Sequence, residues 1–340
     1  YAGDFDVVAG EGYLAHSGTR PQGVADVGTL YFTDNRFLTN AAYCAAGWRF
    51  AGQWHSAAGA EERIAVPGSV LLNGVLDLAG RALQLDIAGS LTVTGGHGRA
   101  AGLILSNATA SIAGDCTLRG GTLRLQGGVF SVGGDFRMAA YGQSPINASQ
   151  LRIWSLATNG VDQPWGAQVT VGGTWTMESN TVVYVHAHAS NGAAPHFTAG
   201  SFVCARGATL DAYRTGYGAT YGIGYPASQY VGASHGGRGG AKSSSYAQYI
   251  KPPYGSMEMP VAPGSGSAAN NLTNPGGGAI IVQADRAMMF NGRAIVQGNA
   301  DSYAGGVTAS TGTATTAVHS LRARPGGVLG GRGKGAGVDR

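Results

Sequence analysis

The sequence predicts an all-β protein, a parallel β-helix (solenoid) with long loops rich in Gly and Tyr. A short phrase recurs between residues 88 and 204: a glycine, then Ser, Asp or Thr, then an apolar, a variable and an apolar residue. A recurring unit of this size is typical of solenoids. Apolar and polar residues alternate between the phrases, which predicts short strands, and no segment there has helical spacing. With 59 glycines in 340 residues and only 12% charged residues, the composition indicates a turn-rich chain.

The glycine that opens each phrase sets the repeat length. The five glycines are Gly89, Gly114, Gly134, Gly173 and, more loosely, Gly200, with spacings of 25, 20, 39 and 27 residues. We interpret the 39-residue spacing as two repeats. With roughly 22 residues per coil and ~4.8 Å between stacked strands, the chain predicts a rod of roughly 15 coils and 70 Å. Asp115 and Asp135 follow repeat glycines, and we expect them to cap turns by accepting backbone N–H bonds.

Changes in composition divide the chain into four regions. Residues 1–68 predict an irregular opening region with strands and an aromatic group (Trp48, Phe50, Trp54), and residues 69–215 predict regular β-helix coils. Residues 216–275, rich in Gly, Tyr, Ser and Pro, predict a loop insertion of a length that is usually functional or disordered. Residues 276–340 predict closing coils and a Gly-rich tail.

Charge and motifs argue against several classes of partner. The net charge of +4 is spread along the chain without a basic stripe, so we expect no nucleic-acid partner. The glycine runs lack the Lys-Ser/Thr ending of a phosphate-binding loop, so we predict no nucleotide and no other cofactor. No apolar run approaches the ~20 residues of a membrane helix. Cys44, Cys116 and Cys204 have no CxxC spacing, and the last two are expected to be buried thiols because they lie on the repeating phrase.

The segment from Tyr184 to His188 is the best candidate for chemistry. Alternate residues of a strand share a face, so Tyr184, His186 and His188 should point one way while Val183, Val185 and Ala187 point into the core. Two imidazoles on one face, with His196 downstream, could supply three metal ligands. The plainer alternative is an exposed ladder of aromatic and imidazole rings stacked between coils.

A second chemical alternative uses arginine. With Arg152 or Arg206 on a neighbouring coil, the same strand would resemble the His, Tyr and Arg groups with which polysaccharide lyases abstract a proton next to a carboxylate. We assign no catalytic or metal site from the sequence and keep only candidates. The catalytic candidates are Tyr184, His186, His188 and Arg206, and the metal candidates are His186, His188 and His196.

Several segments, in their order along the chain, carry a family resemblance. They are residues 28–34, the turns at 158–160 and 190–192, the strand at 208–212, and the segments 235–237, 254–256 and 275–280. The chain resembles the very large glycine-rich repeat proteins of environmental bacteria, which are thought to be secreted or cell-surface proteins built on parallel β-helices. The resemblance implies architecture and surface location rather than an activity, and a comparable unit that recurs many times in one chain. His186, His188 and the cysteines depart from that pattern.

Two functions of different classes follow as expectations. The first is a non-enzymatic structural unit of an extracellular or cell-surface β-helical fibre or adhesin-like protein. Such a unit would assemble head-to-tail with other copies or units through its open solenoid ends. The chain opens on Tyr1, so we expect a processed or excerpted piece. The alternative is a carbohydrate-active β-helix, a polysaccharide lyase or a glycan-binding module with a polysaccharide partner, in which sugar stacks on exposed Tyr and Trp.

Overall fold

A computed structural model describes the backbone and side chains of residues 63–78, 83–95, 101–141, 148–156, 166–228, 230–255, 261–267 and 275–298. Outside these ranges it describes only the backbone of short strands. The side chains of the aromatic group at 48–54, Cys44, the turn at 158–160 and most of the Gly-rich tail therefore lie outside the described residues.

The protein is all-β, as predicted, and its strands are short. In the first half of the chain they are β1 (Phe5–Asp6), β2 (Thr29–Leu30), β3 (Trp48–Ala51), β4 (Gln53–His55), β5 (Arg63–Val66), β6 (Val70–Leu72), β7 (Val75–Leu78), β8 (Gln84–Ile87), β9 (Leu91–Thr94), β10 (Gly102–Ser106), β11 (Thr109–Ile112), β12 (Cys116–Arg119), β13 (Thr122–Gln126), β14 (Val129–Val132), β15 (Phe136–Ala139) and β16 (Ser149–Trp154). They continue with β17 (Ala167–Met177), β18 (Thr181–His186), β19 (Pro195–Cys204), β20 (Thr209–Asp211), β21 (Ser267–Ala269), β22 (Leu272–Asn274), β23 (Ile281–Phe290), β24 (Arg293–Ile295), β25 (Leu321–Ala323) and β26 (Val328–Gly330). A 3-10 helix, Ser244–Tyr249, precedes β21.

Parallel pairing between strands three places apart dominates the middle of the chain. β5, β8, β11 and β14 pair in that order, as do β6, β9, β12 and β15. These two series merge because β14 pairs with the first half of β17 and β15 with its second half. β17 then pairs with β19, and β19 with β23. A second sheet runs in the order β2, β4, β7, β10, β13, β16, β18, β20 and β24.

The 39-residue spacing is one repeat rather than two. The Gly173 N–H donates directly to the Gly134 carbonyl at 2.9 Å, so the two glycines lie in neighbouring layers. The additional residues lie between β15 and β16 and between β16 and β17. A longer insertion separates His196 from its strand partner Ile281. Because insertions lengthen the repeats, the described part of the chain has nine strands in the second sheet, which span about 38 Å; this is fewer and shorter than the predicted 15 coils and 70 Å.

Inward-facing side chains fill one continuous hydrophobic core. Alternate residues are buried along most strands, as in β16 and β18, because successive side chains of a strand point to opposite faces. Large rings stack from layer to layer within this core: the Trp175 ring lies 5.7 Å from Phe136 at an interplanar angle of 13° and 5.0 Å from Phe202. Cys116 and Cys204 are buried free thiols, which confirms that prediction.

A polar ladder, formed by Ser69, Ser90, Asp115 and Asp135, follows the repeat glycines on the outside of the stack. Each side-chain oxygen accepts the backbone N–H of the equivalent residue one repeat later, at 3.0, 3.1, 2.8 and 2.7 Å in that order. The last of these donors is Thr174. The expectation that Asp115 and Asp135 accept backbone N–H bonds is therefore confirmed, although the donors belong to the next layer rather than to their own turns.

The region 216–275 is tied to the layers at several points. The Gly216 N–H donates to the Gly276 carbonyl at 2.9 Å, and the Gly218 N–H donates to the Ala189 carbonyl at 2.8 Å. His235 is 5% exposed, and its Nε2 donates to the Ala262 carbonyl at 3.0 Å. Part of this region thus has a buried interior of its own. Within the described residues, none of the helical structure is long and apolar enough to cross a membrane.

Candidate functional site

Tyr184 and His186 lie on the outer face of β18, as the sequence predicts. Their neighbours Val183 and Val185 are fully buried, whereas Tyr184 and His186 are only partly buried. The strand is flanked by β16 on one side and β20 on the other, so each outward residue has a partner from another layer. The chemistry of this face therefore depends on which residues the register brings beside Tyr184 and His186.

The register builds a row of stacked cations and rings. Arg152 is the strand partner of Tyr184, and its guanidinium carbon lies 4.8 Å from the centre of the Tyr184 ring. Trp154 is the partner of His186, and the two rings stack 4.7 Å apart at an interplanar angle of 12°. On the opposite side of Trp154, the guanidinium carbon of Arg124 lies 4.8 Å from the ring centre. We call Arg124, Arg152, Trp154, Tyr184 and His186 the outer row.

The two arginines of this row lie at paired positions without an ion-pair partner. Arg124 and Arg152 are direct partners on the adjacent strands β13 and β16. Among the described residues, no carboxylate forms an ion pair with either of them. The Arg152 Nε donates to the Gln150 Oε1 at 2.9 Å, whereas the Arg124 Nε is buried without a hydrogen-bond acceptor. The row therefore holds two neighbouring positive charges with unused donor capacity.

His186 is held neutral by its surroundings. Burial lowers the pKa of its imidazole, and the positive charge of Arg152 lowers that pKa further, while the carboxylate of Asp211 opposes both effects. A neutral imidazole can accept a proton, so His186 has the protonation state that a general base requires near neutral pH. Asp211 is the strand partner of Tyr184 on β20, and its Oδ1 accepts the Tyr213 N–H at 2.9 Å.

His188 is not part of the outer row. Strand β18 ends at His186, and His188 begins the turn that leads to β19. Its Nδ1 accepts the Asn191 N–H at 3.3 Å and the Ser190 hydroxyl at 3.2 Å. The turn is completed by Gly192, whose φ of +74° requires glycine. The ring of His188 thus stabilises a turn, and His188 lies beyond the end of the strand on which the sequence placed it.

Arg206 and His196 also lie away from the row. Arg206 is exposed and precedes Gly207, whose carbonyl accepts the Asn180 N–H just before β18 begins. His186 is the last residue of that strand, so Arg206 lies roughly 20 Å away along it. His196 is on β19 in the other sheet, where burial lowers the pKa of its imidazole. Across the described ranges, no three His, Cys, Asp or Glu side chains are grouped to hold a metal ion, so the proposed three-histidine arrangement is not formed.

Sequence reasoning missed Arg124 and Trp154 as members of the site. Both occupy outward positions of strands that the alternation of apolar residues correctly identifies, β13 and β16. The signal within one strand is limited to β16, where Arg152 and Trp154 are two residues apart and face outward. The contact between Arg124 and Trp154 could be predicted only with the register between β13 and β16, because that register decides which outward residues touch.

In comparisons with known proteins, no family model, no curated protein and no solved structure matches the chain significantly. The functional conclusions therefore depend on the geometry of the described residues.

Proposed function

We propose that the chain is a parallel β-helix that serves as a non-enzymatic structural unit of an extracellular or cell-surface fibre or adhesin-like protein. The observation that carries this proposal is the parallel register that continues through nine strands of one sheet. In such a stack the backbone hydrogen bonds run along the long axis, so each layer serves as the template for the next. Stability then comes from repetition rather than from a closed globular core.

Head-to-tail assembly follows from the same geometry. The outermost layer of a parallel stack presents a row of backbone N–H and C=O groups without a partner strand, and such edges readily recruit other strands. The polar ladder shows how one layer recognises the next, because each Ser or Asp side chain in it accepts a backbone N–H from the following layer. We propose other copies or units of the same protein as the partners, in line with the resemblance to giant glycine-rich repeat proteins.

Electron microscopy and sedimentation test the structural proposal. The purified protein should form rods that lengthen end-to-end as concentration rises, and aligned material should diffract at about 4.8 Å along the rod axis. A sedimentation coefficient that rises with protein concentration is the expected result in solution. Isolated short particles of constant mass from micromolar to millimolar concentration would overturn the proposal.

A second candidate, a carbohydrate-active or glycan-binding module, is favoured by the outer row. Tyr184 and Arg152 adjoin the neutral His186 on one partly buried face, which are the residue types that abstract a proton next to a carboxylate. Incubation with a panel of acidic polysaccharides, followed by ultraviolet detection of unsaturated products, tests for a lyase. Products that disappear in His186→Ala would support the enzyme, and a silent panel would refute lyase activity.

A further inference from the structure

The positive charges of Arg124 and Arg152 repel each other unless an anion binds to them. Their side chains extend from adjacent strands, about 4.8 Å apart, and both are partly buried beside aromatic rings. Like charges on directly opposed residues of a sheet destabilise it. The described carboxylates leave both guanidiniums without an ion pair, and the Arg124 Nε has no acceptor at all. Each guanidinium is a planar fork that matches a bidentate oxyanion.

The Trp154 ring is not available for stacking by a neutral sugar. β13 and β18 lie on opposite sides of β16, so Arg124 covers one face of the Trp154 ring and His186 covers the other. Tyr184 has Arg152 against one face. The rings hold the cations in place by cation–π contacts and leave the guanidinium edges for a ligand. Sugar stacking on Trp154, one form of the expectation that sugar stacks on exposed Tyr and Trp, is therefore disfavoured.

The same observation disfavours a nucleic acid. Proteins that bind single strands without sequence preference present free aromatic faces on which bases stack. Both faces of Trp154 are occupied within the protein, and the net charge of the whole chain is only +4. An acidic polysaccharide needs neither stacking platforms nor a large basic surface. It can place neighbouring carboxylates against two arginines that occupy paired positions on adjacent strands.

We propose that Arg124 and Arg152 bind the carboxylates of an acidic polysaccharide that lies across strands β13 and β16. Trp154 and Tyr184 act as positioning residues, because their rings fix the planes of the two guanidinium groups. This inference rests on the second proposed function, glycan recognition, and it is independent of head-to-tail assembly. Neither His188 nor Arg206, both candidates from the sequence, belongs to this site.

Binding of polygalacturonate to the full chain tests the proposal. The wild-type protein should bind, more weakly as sodium chloride is added, because salt screens exposed charges. Arg124→Gln and Arg152→Gln should each weaken binding roughly tenfold, the loss expected for one charge-assisted contact. Arg152→Lys should fall between wild type and Arg152→Gln, because lysine keeps the charge but loses the planar fork. Arg206→Gln is the matched control, since it removes the same charge from an exposed position outside the row.

The possible results distinguish an error in the proposed binding site from an error in the proposed glycan-binding function. Wild-type binding that is unchanged in both row variants would overturn the site and leave glycan binding standing. No wild-type binding to polygalacturonate, with dextran as the neutral control, would overturn both. Equal binding of single-stranded poly(dT) through the same two arginines would overturn the assignment to a polysaccharide. Circular dichroism and thermal midpoints that match wild type establish that each variant is folded.

Discussion

Replacing Gly173 with alanine should destabilise the protein, because the added Cβ atom would clash with residues of the preceding layer. A Cβ atom at this position would overlap the Asp135 Oδ1 and come within 2.7 Å of the Gly134 carbonyl oxygen. The Asp135 side chain would have to rotate away and lose its hydrogen bond to the Thr174 N–H, which is 2.7 Å long. The glycine is therefore required by close packing between layers.

The expected loss can be worked out from these two contacts. Loss of a hydrogen bond to a carboxylate is worth about 1–2 kcal/mol at this exposed site, because water can replace the lost partner. Displacement of the Gly134 carbonyl adds about 1–2 kcal/mol, as is usual for overpacking. For 340 residues, an unfolding entropy of about 0.7 kcal/mol/K converts a total of about 2–4 kcal/mol into a fall in Tm of about 3–6 °C.

Thermal and urea unfolding measure this loss, and two further variants isolate its cause. Gly236→Ala is the matched control, since a Cβ there meets no atom within 4 Å, and it should change stability by less than about 0.5 kcal/mol. In the Asp135→Ala background the main obstacle is absent, so Gly173→Ala should cost about half as much as in wild type. Equal costs in the two backgrounds, or a Gly173→Ala protein as stable as the control, would refute the reasoning.

Three other perturbations test the core, the thiols and the insertion. Phe136→Ala should lower the free energy of unfolding by about 3–5 kcal/mol, measured by urea denaturation, because it empties the site against Trp175 in a fully buried stack. Cys116 and Cys204 should resist iodoacetamide in the native protein, as read by peptide mass spectrometry, because burial raises the pKa of both thiols, that of Cys204 to about 11. Burial also lowers the pKa of His235, so the folded state keeps this ring neutral. The contribution of the neutral ring to folding stability is therefore present above about pH 6.5 and is lost as the pH falls below that value. Urea midpoints of wild type and His235→Gln should therefore converge on acidification; a constant difference from pH 7 to pH 5 would contradict this.

The local features of the fold were predictable because a single repeat contains their causes. A glycine followed by a small polar residue and an apolar pair predicted strands near Leu91, Cys116 and Phe136, where β9, β12 and β15 begin. The structure supplies the reason for the phrase: the polar residue accepts an N–H from the next layer, and the glycine leaves room for the polar side chain of the layer before. The same physical requirement recurs in each layer, so the sequence repeats.

The layer count and the site were less predictable, because both depend on pairing between distant segments. An insertion carries no periodic signal, so the 39-residue step could not be distinguished from two repeats until Gly173 was seen to bond to Gly134. The sequence predicted the turn at 190–192 but not that the His188 ring would accept the Asn191 N–H, so His188 was placed on the strand. Arg124 and Trp154 were missed because their contact crosses from β13 to β16.

The layered geometry also limits where new chemistry can arise in this protein. Inward positions are fully buried and packed against neighbouring layers, so a polar change there loses packing and leaves an unsatisfied group. Outward positions have no such constraint, yet the register holds each of them at a fixed distance from its partners above and below. Two residues with weak functional signals in sequence, such as Arg124 and Arg152, therefore become a defined pair once stacked. In a stack of this kind, outward residues from successive paired strands together form a site. A search confined to one strand, such as the one that selected Tyr184 to His188, therefore finds only the residues that this strand contributes.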